Sequence, residues 1–252
     1  MVGISSKNCQ TKGQWLESLL KKGFKLVEIN HRWTSLPFDD QSIKRKKDIL
    51  KKYSAIVTIH SGTSDLLHKN RLIYQQQRLL LKAEIIFANK IKAKTVSFHF
   101  PKYLDHKKDK NMIHKFLKEI LSFAKKYKIP LLIENDSNGP WTTAEDFLPY
   151  LKKYKSLKFL LDIGHLNRST KAGLVSSEKE FIEKMKPYIR YVHVHSNKGI
   201  YDDHIALGDG NIKKEIILPL LKKLKIKYWI VETDLMKNAL KTRQVLKKFG
   251  IK

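Results

Sequence analysis

The residues best suited to chemistry are histidines and acidic side chains that recur between residues 60 and 232. Imidazoles and carboxylates form a nitrogen and oxygen donor set that suits Zn, Mn, Co or Fe(II). Any single one of them is better explained as a hydrogen-bonded core residue. Taken together they are candidate metal ligands, and the set is His60, His99, Glu134, Asp162, His165, His193, Asp202, His204 and Glu232.

An alternation of short β-branched or Leu-rich runs with helical segments separates these residues, and it occurs eight times. Such an alternation is typical of βα units and a parallel sheet. Eight units predict a (β/α)8 TIM barrel, formed by a single domain over residues 1–252. An open doubly wound sheet is the rival, but the first turn, Ser5-Ser6-Lys7-Asn8, lacks a Gly-rich motif. The predicted strands are Val2–Ser5, Lys25–Asn30, Ala55–His60, Thr95–Phe100, Pro130–Asp136, Leu157–Asp162, Arg190–Ser196 and Tyr228–Thr233.

Side-chain parity places the ionisable residues inside this barrel. Successive strand residues point alternately to the lumen and to the helices. In the third strand Val57 and Ile59 share the helix-facing parity, whereas Thr58 and His60 share the inward parity. Five later strands repeat this pattern, with the ionisable residue near the C-terminal end, where barrel enzymes build their sites. Burying so many charged groups together is costly without compensation, and divalent metal is the simplest compensation.

Two short motifs extend the predicted site beyond the strands. In Asp162-Ile163-Gly164-His165 the glycine is expected to turn the chain so that His165 returns over the lumen. In Asp202-Asp203-His204 an extended segment would present Asp202 and His204 on one side, and Gly208 and Gly210 then allow a tight turn. An ordinary solvated loop is the alternative interpretation of the second motif.

Four further residues are candidates for substrate contact. Glu28 and Asn30 have inward parity at the end of the second strand, and Arg32 follows in a loop that could touch a polyanion. His195 has the same inward parity as His193, and we expect it to contact the substrate or a ligand side chain.

The composition limits the kinds of partner that the protein can have. The chain has 51 Lys and Arg against 24 Asp and Glu, which gives a formal charge of +27. This charge indicates either a polyanionic partner or a surface of solvated lysines without such a partner. One cysteine, Cys9, excludes an internal disulfide and a Cys-cluster metal site. No apolar run is long enough to span a membrane, and the N-terminus lacks the pattern of a secretory signal. We therefore expect a cytoplasmic protein without a membrane or disulfide partner.

The ordered set of candidate ligands resembles the xylose isomerase-like TIM-barrel superfamily, and within it most closely the endonuclease IV (type 2 AP endonuclease) branch. The resemblance covers the third to eighth strands and includes the Leu207-Gly208-x-Gly210-x-Ile212 segment after His204. Departures lie next to the ligands. Asp162-Ile163-Gly164-His165 replaces Asp-Thr-x-His, and Ser61-Gly62-Thr63 stands where that branch has an aromatic DNA-penetrating residue.

The resemblance implies a phosphodiesterase that cleaves DNA at abasic sites with metal-activated water, using up to three ions, most simply Zn. In that scheme His60 and His99 bind one metal, Asp202 and His204 another, and Glu134 and Glu232 bridge metals or orient the nucleophile. The alternative is a metal-dependent sugar or sugar phosphate isomerase or epimerase with a small sugar substrate. Such an enzyme would need only a subset of the ligands, namely Glu134, Asp162, His193 and Glu232. A non-catalytic nucleic-acid binder is a third possibility.

Overall fold

A computed structural model describes residues 1–8, 15–31, 39–101, 103–104 and 108–252. Parallel strands form one closed barrel in sequence order, and the ring closes where the first strand pairs with the eighth. This confirms the predicted (β/α)8 barrel. The strands are β1 (Val2–Ser5), β2 (Leu26–Asn30), β3 (Ile56–His60), β4 (Val96–Phe98), β5 (Leu131–Glu134), β6 (Leu157–Asp162), β7 (Ile189–Val194) and β8 (Tyr228–Val231).

Helices follow the strands, and β6 is followed by two of them before β7 begins. None of the helices in the described ranges combines the length and apolar character needed to cross a bilayer. Among these residues the helices are α1 (Trp15–Lys21), α2 (Asp40–Lys52), α3 (Arg71–Lys90), α4 (Lys110–Lys126), α5 (Ala144–Lys153), α6 (Ile163–Lys171), α7 (Glu178–Met185), α8 (Lys214–Lys223) and α9 (Met236–Lys248).

The buried apolar residues form two separate layers, as the parity argument predicts. The outer layer lies between strands and helices and includes Val57, Ile59 and Val192. The inner layer fills the lower lumen with a small cluster that includes Leu132, Leu160, Tyr191 and Ile230. This cluster occupies the part of the barrel below the predicted site, so the lumen there is a packed core.

Four strands end earlier than the sequence predicts, whereas β1, β2, β3 and β6 end at the predicted residue. β4 ends at Phe98, β7 at Val194 and β8 at Val231, so His99, His195 and Glu232 lie just past the last strand residue. The inward parity nevertheless persists into these positions, because each follows its strand without a change of direction.

Candidate metal centre

Four donors converge at the centre of the mouth. His193 is fully buried on β7, and its Nδ1 lies 3.1 Å from Glu134 Oε1, 3.4 Å from Glu232 Oε2 and 3.8 Å from Asp162 Oδ2. Ligand atoms of all four residues lie within 4.8 Å of one another. We call Glu134, Asp162, His193 and Glu232 the central group.

A polar network beneath the central group orients His193. The far nitrogen of its ring, Nε2, lies 2.9 Å from Glu28 Oε2, and the Tyr191 hydroxyl donates to the same oxygen at 2.8 Å. Asn30 Nδ2 donates to Glu232 Oε1 at 3.3 Å. Glu28 and Asn30 therefore hold central-group side chains from below, and a partner on the second ring nitrogen is the usual way to orient a metal-binding histidine.

Two histidines flank Glu134 on the β3–β4 side. His60 Nε2 lies 2.9 Å and His99 Nε2 3.3 Å from Glu134 Oε2, so this carboxylate faces the central group with one oxygen and the two imidazoles with the other. His60, Glu134 and His193 form a second candidate group of metal donors. A carboxylate with both oxygens so placed can be shared between two ions.

A third group lies on the opposite side and contains His165, His195, Asp202 and His204. Asp202 Oδ2 lies 3.2 Å from His165 Nε2 and 2.9 Å from His204 Nε2. The His195 ring stacks on the His204 ring with centroids 3.9 Å apart, and its Nε2 lies 2.9 Å from Asp162 Oδ1. The structure thus places His195 among candidate donors as well as beside a ligand side chain.

Backbone carbonyls set the orientation of three of these imidazoles. Nδ1 lies 3.0 Å from Ser61 O in His60, 2.8 Å from Asn135 O in His165 and 2.7 Å from Glu232 O in His204. A carbonyl can only accept, so each Nδ1 is the protonated nitrogen and each Nε2 points into the site. Histidines held this way present a lone pair to a cation once Nε2 has lost its proton.

The local chain geometry differs from the motif interpretation at Gly164. α6 begins immediately after β6, with Asp162 as its N-cap accepting from His165 N at 2.8 Å, and Gly164 lies inside this helix. The predicted turn is therefore wrong. A Cβ on Gly164 would lie 2.0 Å from the His195 ring, so glycine is needed for close approach. Gly208 does adopt a left-handed φ of +105°, and in the same loop His204 has a φ of 44°.

Burial and mutual charge shift the pKa values of the group members in opposite directions. Burial alone would lower the pKa of His60, but the hydrogen bond and charge of Glu134 outweigh it and raise that pKa to about 9. Burial is likewise outweighed at His193 by Glu28 and Glu134, and at His165 by Asp162 and Asp202, so both pKa values rise well above the usual range. The neighbouring imidazoles lower the carboxyl pKa values of Glu134, Asp162, Asp202 and Glu232 against the opposing effect of burial.

These directions describe ionised carboxylates balanced by imidazolium protons on His60, His165, His193 and His204, whereas burial lowers the pKa of His99. The donor set fits divalent metal, because a cation can replace those protons as the counter-charge. Two buried atoms support this fit. Asp202 Oδ1 and His99 Nδ1 have no hydrogen-bond partner among the described residues, and such atoms are costly unless a ligand satisfies them.

A cavity of about 390 Å³ borders the donors on either side of the central group. Its wall includes His60, His99, His165 and Asp202, so the candidate donors form part of the surface that a substrate would meet. The volume is in the usual range for small-molecule sites.

Sequence reasoning missed two residues near this cavity. Glu84 is fully buried on α3, accepts from Gly62 N at 2.9 Å and from the Ser61 hydroxyl, and lies 3.1 Å from His31 Nδ1. Arg168 follows His165 by one helical turn and lines the cavity. Acidic or basic residues on a helix ordinarily indicate a solvated face, so only an interruption of the apolar face could have indicated Glu84. The predicted substrate residue Arg32 lies outside the described residues.

A model of the xylose isomerase-like TIM-barrel family matches residues 16–249. The chain belongs to this family. Its relatives include the uncharacterized protein MJ1311 of Methanocaldococcus jannaschii, which is 26% identical over 93% of this chain and 83% of that protein.

Solved structures share the fold of this chain at low identity. A D-tagatose 3-epimerase-like protein superposes with a TM-score of 0.81 at 24% identity, covering 98% of this chain and 96% of the other. A D-psicose 3-epimerase determined in the presence of D-fructose has a TM-score of 0.78 at 17% identity, and the superposition covers 99% of each chain. The family model therefore supports the predicted xylose isomerase-like superfamily, and the solved structures show the shared fold.

Proposed function

We propose that this family member is a divalent-metal-dependent isomerase or epimerase acting on a small sugar. The observation that supports it is the placement of two ionised carboxylates, Glu134 and Glu232, within 3.1 Å and 3.4 Å of the same His193 nitrogen. Moving a proton at the carbon beside a carbonyl requires a base on one side of that carbon and an acid on the other. Two carboxylates around one substrate position can supply both once one of them has taken up a proton.

The proposed reaction assigns each residue a role. One of the two glutamates, ionised, would remove the proton next to the carbonyl and later release it to solvent. The other would first take up a proton from solvent and then deliver it to the same or the adjacent carbon. A bound divalent ion supplies Lewis-acid polarisation of the substrate oxygens. Asp162 and His193 complete the donor set, and Glu28 and Asn30 keep His193 and Glu232 in position.

The shape of the site and the family structures support a small substrate. A cavity of about 390 Å³ accommodates a monosaccharide, and the residues that line it include Ser61, Thr63, Ser64 and Ser137. Polar side chains of this kind suit a polyhydroxylated ligand.

The test is proton exchange at carbon. The metal-loaded protein, prepared separately with Zn, Mn or Co, is incubated in D2O with a panel of ketoses and aldoses, and deuterium incorporation is followed by NMR. We expect exchange in the wild type and a loss of about 10²- to 10⁴-fold in Glu134→Gln and Glu232→Gln. Glu145→Gln is the matched control, because Glu145 is an exposed glutamate on α5. No exchange with any sugar or metal would contradict the proposal.

Phosphoester hydrolysis is the second candidate, and a separate observation favours it. The donor groups on either side of the central group exceed what one ion requires. Polynuclear sites clamp the attacking and leaving oxygens of a phosphoryl displacement. Hydrolysis of an abasic-site duplex or of bis(p-nitrophenyl) phosphate, combined with three metal equivalents per chain, would favour this reaction. One equivalent with deuterium exchange would favour sugar chemistry.

A further inference from the structure

Arg168 is the cationic side chain that the cavity presents to a ligand. Among the residues that the structure describes, it is the only lysine or arginine in the cavity wall, although the chain has 51 of them. The described part of the wall, which also includes Asp65, Asp136 and Asp202, thus contains one guanidinium, on the same face of α6 as His165.

The partners of Arg168 leave its charge available. Its Nε donates to Ile200 O at 2.9 Å, and its Nη1 donates to the Ser137 hydroxyl at 2.7 Å. Both acceptors are neutral, and no carboxylate forms an ion pair with Arg168 within the described ranges. Nη2 makes none of the hydrogen bonds found between described residues. The guanidinium is thus held in place by neutral groups, with one nitrogen and its full charge open to an anion.

Ser137 adds a second donor at the same place. Its oxygen accepts from Arg168, and no hydrogen bond between described residues uses the hydroxyl proton. Ser137 is buried and lines the cavity beside Arg168. A guanidinium with an adjacent hydroxyl donor matches the oxygens of a phosphate group, which arginine recognises through its planar fork.

The position along α6 sets the distance from the reacting centre. Arg168 lies three residues after His165, which corresponds to a rise of about 4.5 Å along the helix. A sugar whose hydroxyls reach the central group would extend a terminal substituent toward Arg168. We propose that Arg168 and Ser137 form a phosphate subsite and that the substrate is a phosphorylated sugar. This inference rests on the proposed function for the sugar portion of the substrate.

Binding separates the subsite from the reaction. Calorimetry would compare glycerol 3-phosphate with glycerol on metal-loaded protein, using wild type, Arg168→Gln and Arg168→Lys. Arg190→Gln is the matched control, because Arg190 is exposed at the start of β7, away from the mouth, and its replacement removes the same charge. Metal content is measured in every variant, since Arg168 is not a candidate ligand and its replacement should leave the ions bound.

We expect glycerol 3-phosphate to bind and glycerol to bind far more weakly. Arg168→Gln should weaken phosphate binding about 10- to 100-fold, as for loss of a charge-assisted hydrogen bond, whereas Arg190→Gln should not. Arg168→Lys should retain part of the affinity. Equal phosphate affinity in wild type and Arg168→Gln, with metal content unchanged, would overturn the subsite. So would equal affinity of the wild type for glycerol and glycerol 3-phosphate.

The reaction provides a second comparison. If the proposed function holds, kcat/KM for a ketose phosphate should exceed that for the free ketose, and Arg168→Gln should remove the difference. Turnover of free and phosphorylated sugars at equal rates in wild type would overturn the subsite while leaving the isomerase proposal intact. Phosphate binding that depends on Arg168 without turnover of any sugar would support the subsite and contradict the isomerase proposal.

Discussion

The lower and upper halves of the lumen differ in chemistry although the same strands build both. In the lower half Leu160 and Ile230 pack in an apolar cluster so tight that a Cβ on Gly3 would lie 2.7 Å from Ile230 Cδ1. Two residues further along the same strands, Asp162 and Glu232 belong to the central group. The lower half excludes water and stabilises the barrel, whereas the upper half concentrates charge that a ligand must balance. Substitutions in the upper half should therefore reduce metal content and activity, whereas substitutions in the lower half should reduce stability.

The largest expected effect is on the shared carboxylate. If three ions bind, Glu134→Gln should lose more than one equivalent of metal, because both oxygens of Glu134 face candidate donor groups. If one ion binds at the central group, the variant should lose that equivalent. Activity should fall about 10²- to 10⁴-fold. Metal analysis of wild type and variant after identical loading and desalting checks this. Unchanged metal content in Glu134→Gln would contradict the assignment of the upper half as a metal site.

The second prediction concerns an apolar residue in the lower half of the lumen. Ile230→Ala should lower the free energy of unfolding by about 2–5 kcal/mol, because it opens a cavity in a fully buried cluster. Metal content per folded molecule should stay at the wild-type value. Denaturant unfolding, together with metal analysis under native conditions, measures both. Loss of metal without loss of stability would erase the distinction between the two halves.

A smaller effect is expected at the edge of the upper half. His204 lies in a loop, and its Nε2 faces Asp202 of the third group, whereas its Nδ1 lies on the backbone carbonyl of Glu232. His204→Ala should therefore lose about one equivalent if three ions bind, because water can replace a terminal imidazole. If one ion binds at the central group, the metal content should not change. The comparison with Glu134→Gln thus counts the occupied groups.

The last prediction concerns how the metal affinity of the wild-type protein varies with pH. Because Glu134 raises the pKa of His60 to about 9, this imidazole is protonated at neutral pH in the metal-free protein. Metal must displace such protons, so affinity should rise between pH 6 and about pH 9, by about tenfold per pH unit for each proton released. Calorimetric titrations in buffers of different ionisation enthalpy measure the release. Affinity independent of pH over this range would show that the imidazoles do not exchange protons for metal.

Parity explains why so much of the site could be predicted. A strand side chain has two directions, so an inward Glu134 or His193 follows once the apolar partners are assigned to the helix layer. Loops and helices offer no such rule. The sequence predicts a turn at Gly164, but the structure shows that this glycine packs against the His195 ring. The sequence could not indicate this contact, because His195 follows a different strand.

The sequence by itself determined the barrel, the order of its strands and the convergence of histidines and carboxylates at one mouth, because periodicity and strand parity are local properties. Tertiary structure alone decided how the donors divide into groups and which carbonyls orient the imidazoles. It also decided that Arg168, among many cations, lines the cavity. These features depend on distances between residues far apart in the chain, which become defined only when the ring closes.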